Sequence, residues 1–280
     1  WWIAERQLAN GEFGGKWGDD VEMWRWWAPI LVGFDDPVVT NAQALLARGN
    51  LSRPGMAAGY TSQLTDVEHT AEETADTLTP MQHVAGDNPD WAARTRRLLT
   101  LADQVWWGEN DRGQLQFKHI DFNHERLGPN TARAYDTGYH VRVLQPVLLL
   151  WQRTRDPALG EPLTRWLRTW ADAALGTDNG KPAGIVPAAL QWPSGLVGSR
   201  ERGWIGPDLA GDPMVRLYSW PAYPVMALTA ALVQAYAQTG DDHFAAPLLR
   251  MAERRRAHLA QGNPDGPVGS PAWAAHRLPE

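Results

Sequence analysis

Residues 139–157 read YHVRVLQPVLLLWQRTRDP, and this stretch carries the two signals from which the fold is predicted. Residues 139–153 are apolar on most sides, which is typical of a helix that is buried all round. The turn that follows ends in Asp156 and Pro157. An Asp cap with Pro at the first helical position is a strong helix-start signal. The stretch therefore predicts a buried helix joined by a short turn to a second helix.

Similar acidic turns recur along the chain, and each separates two helical segments. They are residues 33–37 (GFDDP), 86–89 (GDNP) and 239–242 (TGDD), with Asp36, Asn88 and Asp242 as the expected caps. The segments before these turns are apolar on most sides, as in 21–34, 139–153 and 223–238. The segments after them have one apolar face, and these are 91–107, 158–175 and 244–260. Such a degenerate hairpin repeat predicts an all-α fold, an α/α toroid of buried inner and amphipathic outer helices.

Composition excludes several classes of protein. The 280 residues carry 26 Lys+Arg and 32 Asp+Glu, a net charge of −6, so a nucleic-acid partner is not expected. There is no Cys, which rules out disulfides and thiolate chemistry. The longest apolar run, within 143–151, is too short to cross a bilayer, so no membrane partner is expected either. Residues 1–280 are expected to form one domain of a longer protein, and secretion or a periplasmic location fits this composition.

Polar clusters are predicted to meet at one rim of the toroid. If inner and outer helices alternate, the inner helices run parallel and begin at the same end. Long connections at 50–65, 108–131 and 176–219 are rich in Gly, Pro and aromatic residues, and such loops are usually functional. Three polar segments precede or open inner helices: 17–22 (WGDDVE), 66–73 (DVEHTAEE) and 118–124 (KHIDFNH). Convergence of titratable groups in a cleft is typical of an active site.

Simpler structural roles compete with these functional ones. Acidic residues at a helix start can cap free N–H groups or face solvent, which is an alternative for Asp19, Asp20, Asp66, Glu72 and Glu73. A single His is usually a hydrogen-bonded structural residue. His119, Asp121 and His124 would also make a sound metal ligand set, although their spacing matches no specific signature. No metal or other cofactor is expected.

Tryptophan content suggests a carbohydrate ligand. The chain has 16 Trp against 6 Tyr and 5 Phe. Flat indole rings suit the apolar face of a pyranose, while carboxylates and amides bind its hydroxyl groups. The Trp residues beside the predicted rim are candidate sugar platforms (Trp17, Trp24, Trp192, Trp204 and Trp220). Those within the helices are expected to pack in the core (Trp91, Trp106, Trp151, Trp166 and Trp170).

With these features the chain resembles the α/α-toroid carbohydrate-active enzymes, a group that includes six-hairpin glycosidases and toroid polysaccharide lyases. The resemblance rests on the helix alternation, the turn QTGDD at 238–242 and the segments GGKWGDD (14–20), DVEHTAEE and HIDFNH (119–124). It covers most of the chain at the level of architecture. A full six-hairpin ring has twelve helices, whereas eight are predicted here. The ring is therefore expected to be incomplete, or to be completed by segments outside this chain.

The resemblance leaves alternative activities on a poly- or oligosaccharide. A glycoside hydrolase needs two carboxyl groups, which the rim offers on two segments. A lyase acting on a uronate needs a His or Tyr base and donors that neutralise the carboxylate, for which Arg142 is one candidate. A sugar epimerase, a glycan-binding module and a helical scaffold for proteins are further alternatives.

Hydrolysis is the preferred prediction. The catalytic candidates are Asp20, Glu68, His69, His124 and Tyr139. The substrate-binding candidates are Trp17, Asp19, Glu72, His119, Asn123, His140, Arg216, Tyr218 and Trp220.

Overall fold

A computed structural model of the chain describes residues 1–34, 36–209, 211–220 and 223–261. The fold is mostly helical, with 59% helix and 8% strand, as predicted for an all-α class. Within the described residues the helices are α1 (Trp2–Arg6), α2 (Trp17–Arg25), α3 (Ala28–Gly33), α4 (Pro37–Leu51), α5 (Val67–Val84), α6 (Pro89–Leu101), α7 (His140–Thr154), α8 (Pro157–Leu175), α9 (Tyr223–Thr239) and α10 (Asp242–Ala260). The strands are β1 (Thr65–Asp66), β2 (Trp107–Glu109), β3 (Leu115–Phe117), β4 (Asp121–Phe122), β5 (Tyr135–Thr137) and β6 (Ala189–Gln191).

The predicted helix caps are confirmed at three of the four turns. Asp36, Asn88 and Asp156 each accept a hydrogen bond from the backbone N–H two residues later, at 2.8 to 3.0 Å. At the fourth turn the cap is Asp241 rather than the predicted Asp242, because Asp242 is already the first residue of α10. The acidic turns are therefore the start signals of α4, α6, α8 and α10.

The apolar segment 21–34 forms two helices and not the single helix that was predicted. Helix α2 ends at Arg25, and α3 begins at Ala28 after a turn at Trp26 and Trp27. Pro29 occupies the second position of α3, where its missing N–H costs no intrahelical hydrogen bond. Apolar periodicity alone does not reveal such a break.

Helices that are close in the chain order pack on each other. Helix α5 packs on α7 and α7 on α9, while α6 contacts both α5 and α7. Helix α8 in turn contacts α7 and α9, α10 contacts α8 and α9, and α2, α3 and α4 pack on α5. The alternation of inner and outer helices, like their closure into a toroid, stays a prediction.

Contacts at both ends of α5 and α7 show that these helices run parallel. Near their first turns, Arg142 of α7 donates to Glu68 of α5 at 3.1 Å. Near their last turns, the Arg153 guanidinium of α7 donates to the side-chain oxygen of Gln82 of α5 at 3.0 Å. The two helices therefore begin on the same side of the molecule, as predicted for the inner layer.

Tryptophan side chains fill the space between the layers. The five Trp predicted to be core residues are all buried, none more than 6% exposed. The indole N–H of Trp106 donates to the carbonyl of Asn123, and that of Trp166 donates to Asp136, both at 2.8 Å. The core prediction for these residues is confirmed.

Short antiparallel strand pairs organise the long connections. Strand β1 pairs with β4, β2 with β3, and β5 with β6. The pairing of β5 with β6 joins the segment before α7 to the connection after α8. Among the described helices, none combines the length and the apolar character needed to cross a bilayer.

Candidate functional site

Three of the predicted polar segments come together at the end where α5 and α7 begin. In the β1–β4 pair, Thr65 lies opposite Phe122 and Asp66 opposite Asp121, so segment 118–124 runs beside the start of α5. Segment 17–22 approaches from the other direction. A Cβ added at Gly18 would lie 3.2 Å from Oε2 of Glu72. The convergence of these segments is therefore a property of the fold.

At the start of α5, Asp66 both caps the helix and orients a histidine. Its Oδ1 atom accepts the backbone N–H of His69 at 3.1 Å, and it lies 2.8 Å from Nδ1 of the same residue. With the proton on Nδ1, the imidazole donates to Asp66 and leaves Nε2 as an acceptor. Within the described part of the chain, Nε2 has no hydrogen-bond partner, and the His69 side chain is 52% exposed. The pair resembles an oriented general base.

Carboxylates crowd together one turn further along α5. Ligand atoms of Glu22, Glu68 and Glu72 all lie within 4.8 Å of one another, and the same holds for Asp66, Glu68 and His69. These five residues are termed the acidic cluster. Charges of one sign at this separation repel strongly unless a proton or a cation lies among them. With either a proton or a cation among its carboxylates, the cluster is a candidate for chemical function.

Arg142 supplies a positive charge from beneath the cluster. Its guanidinium binds Asp76 through Nε at 3.1 and 3.2 Å and through Nη2 at 2.5 Å, and it donates to Glu68 through Nη1 at 3.1 Å. Arg142 and Asp76 are both buried. The hydrogen bond from Arg142 to Glu68 is charge-assisted, and such bonds are the stronger kind.

The surroundings of Glu72 raise its pKa. Burial, together with the nearby charges of Glu68 and Glu22, raises the pKa of Glu72 to about 8 against the opposing effect of Arg142. At neutral pH Glu72 therefore holds a proton. A protonated carboxyl group beside a second carboxyl group that a cation contacts is a recurring arrangement of an acid and its partner.

The imidazole of His69 is also perturbed. Burial lowers its pKa, but the hydrogen bond to Asp66 and the charges of Asp66 and Glu68 raise it by more. The net pKa of His69 lies above its ordinary value, so the imidazolium persists to higher pH than in a free peptide.

Tyr218 lies against this site with a buried hydroxyl group. The residue is 1% exposed, and no described group forms a hydrogen bond with its hydroxyl oxygen. Burial and the charges of Asp66 and Glu68 raise the pKa of Tyr218 well above its ordinary value. Its ring packs edge-to-face on Tyr139, with centroids 5.6 Å apart. Both tyrosines were predicted site residues, and the structure brings them together.

An arginine clamp holds Tyr218 in place. Arg133 donates to Asp121 at 2.7 Å and also forms an ion pair with Asp212. Asp212 caps the short 3₁₀ helix at Pro213–Arg216, which directly precedes Tyr218. The clamp thus joins the segment after β4 to the segment that carries Tyr218.

The predicted catalytic residue Asp20 has structural partners in the fold. It is 5% exposed, and its two carboxylate oxygens accept the backbone N–H groups of Phe13 at 2.8 Å and Gly15 at 3.3 Å. Burial nevertheless raises the pKa of Asp20, against these two hydrogen bonds. Asp20 therefore fixes the loop before α2, and its catalytic role stays a prediction. Its neighbour Asp19 is exposed.

Three predicted substrate-binding residues are part of the scaffold. His119 lies 2.7 Å from the carbonyl of Asn130 through Nε2 and accepts the Asp121 N–H through Nδ1. The amide of Asn123 donates to Ser62 and accepts two backbone N–H groups. His140 is fully buried and bonded at both ring nitrogens. Because both His119 nitrogens are engaged, the alternative metal set of His119, Asp121 and His124 lacks a free imidazole lone pair there.

The remaining predicted residues lie at varied depths. The backbone N–H of His124 donates to Thr61 beside β1, and its side chain is half-buried. Arg216 is exposed. Trp17 is half-buried beneath the Arg53 guanidinium, which lies 5.5 Å from the ring centroid. Trp220 packs edge-to-face on Trp204 at 5.2 Å. The side chains of Trp24 and Tyr223 fall outside the described parts of the structure.

Sequence reasoning missed Asp76 and the Arg133 clamp. Asp76 had a detectable signal, because Glu68, Glu72 and Asp76 recur every four residues and so share one face of α5. The ion pair between Arg133 and Asp212 joins residues far apart in the sequence, and no local pattern predicts it.

No protein-family model matches the chain, and no curated protein sequence is significantly similar to it. Function is therefore inferred from the site itself.

Proposed function

We propose that the protein is a carbohydrate-active enzyme that hydrolyses glycosidic bonds of a poly- or oligosaccharide, with Glu72 as general acid and Glu68 as its partner, the nucleophile. The observation that supports this most directly is the contrast between the two carboxyl groups. Burial and neighbouring charges raise the pKa of Glu72 to about 8, whereas Glu68 accepts a hydrogen bond from Arg142. Glycoside hydrolysis requires such a pair.

The steps follow from these protonation states. Glu72 donates its proton to the leaving glycosidic oxygen while a Glu68 oxygen attacks the anomeric carbon, which breaks the C–O bond and forms a glycosyl ester. The Glu72 carboxylate then takes a proton from water, whose oxygen displaces Glu68 from that carbon. The products are two sugars with free hydroxyl groups, and both side chains regain their initial states.

The separation of the carboxyl groups favours retention of anomeric configuration. Oxygen atoms of Glu68 and Glu72 lie within 4.8 Å of each other. Retaining enzymes place their carboxyl groups about 5–5.5 Å apart, whereas inverting enzymes need about 6.5–9.5 Å to admit a water molecule. Glu72 replaces Asp20 in this scheme because both Asp20 oxygens are bonded to backbone amides.

A lyase is the second candidate, and the Asp66–His69 pair favours it. His69 could take the proton next to a uronate carboxyl group, since its Nδ1 lies 2.8 Å from Asp66. The donors that would neutralise that carboxyl group are engaged, however. Arg142 binds Asp76 and Glu68, and Arg133 binds Asp121 and Asp212. Hydrolysis is therefore the stronger proposal.

An activity screen on glycans of defined linkage tests these alternatives. Hydrolysis gives reducing ends without ultraviolet absorbance, whereas a lyase gives an absorbing unsaturated uronate. Glu72→Gln and Glu68→Gln should each lower kcat/KM at least about 100-fold, while Asp87→Asn, an exposed change beyond the far end of α5, should not. Loss of activity only in His69→Gln, with an absorbing product, would transfer the assignment to the lyase. If NMR shows that cleavage inverts the anomeric configuration, Glu68 is excluded as the nucleophile.

A further inference from the structure

The site carries an excess of negative charge that its own cations do not balance. Leaving Glu22 aside and counting Glu72 as protonated, the carboxylates are Asp66, Glu68, Asp76, Asp121 and Asp212. The cations bonded to them are Arg142 and Arg133, with His69 as a third when it is protonated. The described groups are therefore net negative in either state of His69.

Tyr218 is a second, independent observation that points to a ligand at this site. Its hydroxyl is buried, finds no partner among the described groups and feels the charges of Asp66 and Glu68. A buried hydroxyl without a partner is costly. A ligand at this position would relieve that cost.

The chemistry of these groups indicates what the ligand offers. The oxygens of Asp66 and Glu68 are acceptors, and the Tyr218 oxygen can also accept. An ammonium group has three N–H donors and no acceptor. Its positive charge would also offset the local excess of carboxylates, and charge-assisted hydrogen bonds are the stronger kind.

We propose that the sugar bound at this site carries a protonated amino group, which Asp66, Glu68 and Tyr218 receive. The preferred substrate class is accordingly an amino-sugar oligomer or polymer. This inference rests on the proposed function for its assumption of a sugar ligand. It adds the charge of the substrate, which neither composition nor fold specifies.

Calorimetric binding to oligosaccharides of one linkage and length tests the proposal. The panel contains glucosamine, N-acetylglucosamine, glucose and glucuronic acid oligomers, measured below the pKa of the amine. We expect the glucosamine oligomer to bind at least about tenfold more tightly than its N-acetylated counterpart, and this ratio should fall as salt is added. Equal affinities, or a preference for the uronate, would overturn the proposal.

Two variants test whether Asp66 and Tyr218 cause the preference for the glucosamine oligomer over its N-acetylated counterpart. Asp66→Asn retains a good helix cap and should remove most of the preference, as should Tyr218→Phe, whereas Asp87→Asn should leave it unchanged. Tyr218→Phe should fold at least as stably as the wild type, because it deletes a hydroxyl without a described partner. An unchanged preference in both site variants would overturn the assignment.

Different outcomes test the inference about the amino group and the proposed hydrolysis separately. Cleavage of neutral glycans without preference for the cationic oligomer overturns the inference alone. Tight binding of the glucosamine oligomer without cleavage of any glycan overturns hydrolysis and supports the charge assignment. Titration with Ca²⁺, Mn²⁺ or Zn²⁺ alone completes the test. If one of these metals binds and Asp66→Asn abolishes its binding, the carboxylates are metal ligands and the inference is overturned.

Discussion

The Nη1 atom of Arg142 lies 3.1 Å from Oε1 of Glu68, across the interface between α7 and α5. The same guanidinium binds both carboxylate oxygens of Asp76, two turns further along α5. One side chain thus joins the two helices and binds a proposed catalytic residue. Stability and activity are coupled at this point.

Removal of this guanidinium should be strongly destabilising. Arg142→Met takes away the charge that faces Glu68 and buried Asp76, and breaking a buried ion pair typically costs about 3–5 kcal/mol. Urea denaturation measures the free energy of unfolding. The matched control is Arg165→Met, whose ion pair with Glu109 is exposed and should contribute less than about 1 kcal/mol. Equal losses in the two variants would contradict the importance of the buried pair.

The rate of hydrolysis should depend on pH through Glu72. With its pKa raised to about 8, Glu72 holds its proton at neutral pH and loses it above that value. We therefore expect kcat/KM to fall as pH rises above about 8. Part of the rise in pKa comes from the Glu22 charge, so in Glu22→Gln the decline should begin at lower pH. A pH–rate profile of both proteins measures this, and an unchanged alkaline limb would argue against Glu72 as the acid.

Folding stability should report the same proton independently of activity. The unfolded chain ionises Glu72 near its ordinary value of 4.5, whereas the folded protein retains the proton to about 8. Between those values the unfolded state binds fewer protons, so wild-type stability contributed by this group falls as pH rises. Glu72→Gln has no such dependence. The melting temperature of Glu72→Gln minus that of the wild type should therefore increase from pH 4.5 to 8 and stay constant above pH 8. A difference that does not change between pH 4.5 and 8 would contradict the raised pKa.

Two helical glycines should respond to alanine with opposite sign. A Cβ at Gly49 in α4 would collide with the carbonyl oxygen of Asn10 and lie 2.9 Å from Cη2 of Trp17, whereas one at Gly33 in α3 meets nothing within 4 Å. Gly49→Ala should cost about 1–3 kcal/mol through overpacking. Gly33→Ala should gain up to about 1 kcal/mol from helix propensity. Thermal unfolding distinguishes the two, and a stabilising Gly49→Ala would be inconsistent with this packing.

The sequence predicted the features that depend on neighbouring residues. The caps at Asp36, Asn88 and Asp156 follow from a short side-chain acceptor before Pro, a signal contained within two residues. The closeness of Glu68 and Glu72 follows from helical spacing. The interruption between α2 and α3 has a weaker local signal, because Pro29 indicates a kink or offset but does not show that the helix ends at Arg25.

Features of the site that depend on tertiary contacts were harder to predict. A carboxylate bonded to backbone amides has the same sequence appearance as a catalytic one, which is why Asp20 was preferred to Glu72. The difference arises from the loop at Phe13 and Gly15, whose N–H groups occupy Asp20. Likewise, the raised pKa of Glu72 depends on Glu22 from a different helix.

The hydrogen bonds at both ends of α5 and α7 limit how these two helices can move relative to each other. Arg142 holds one end through Glu68, and Arg153 holds the other through Gln82. Sliding one helix along the other would break a tie at either end, so shear between them is resisted. The pair α5 and α7 should therefore behave as one rigid unit in any conformational change of the site.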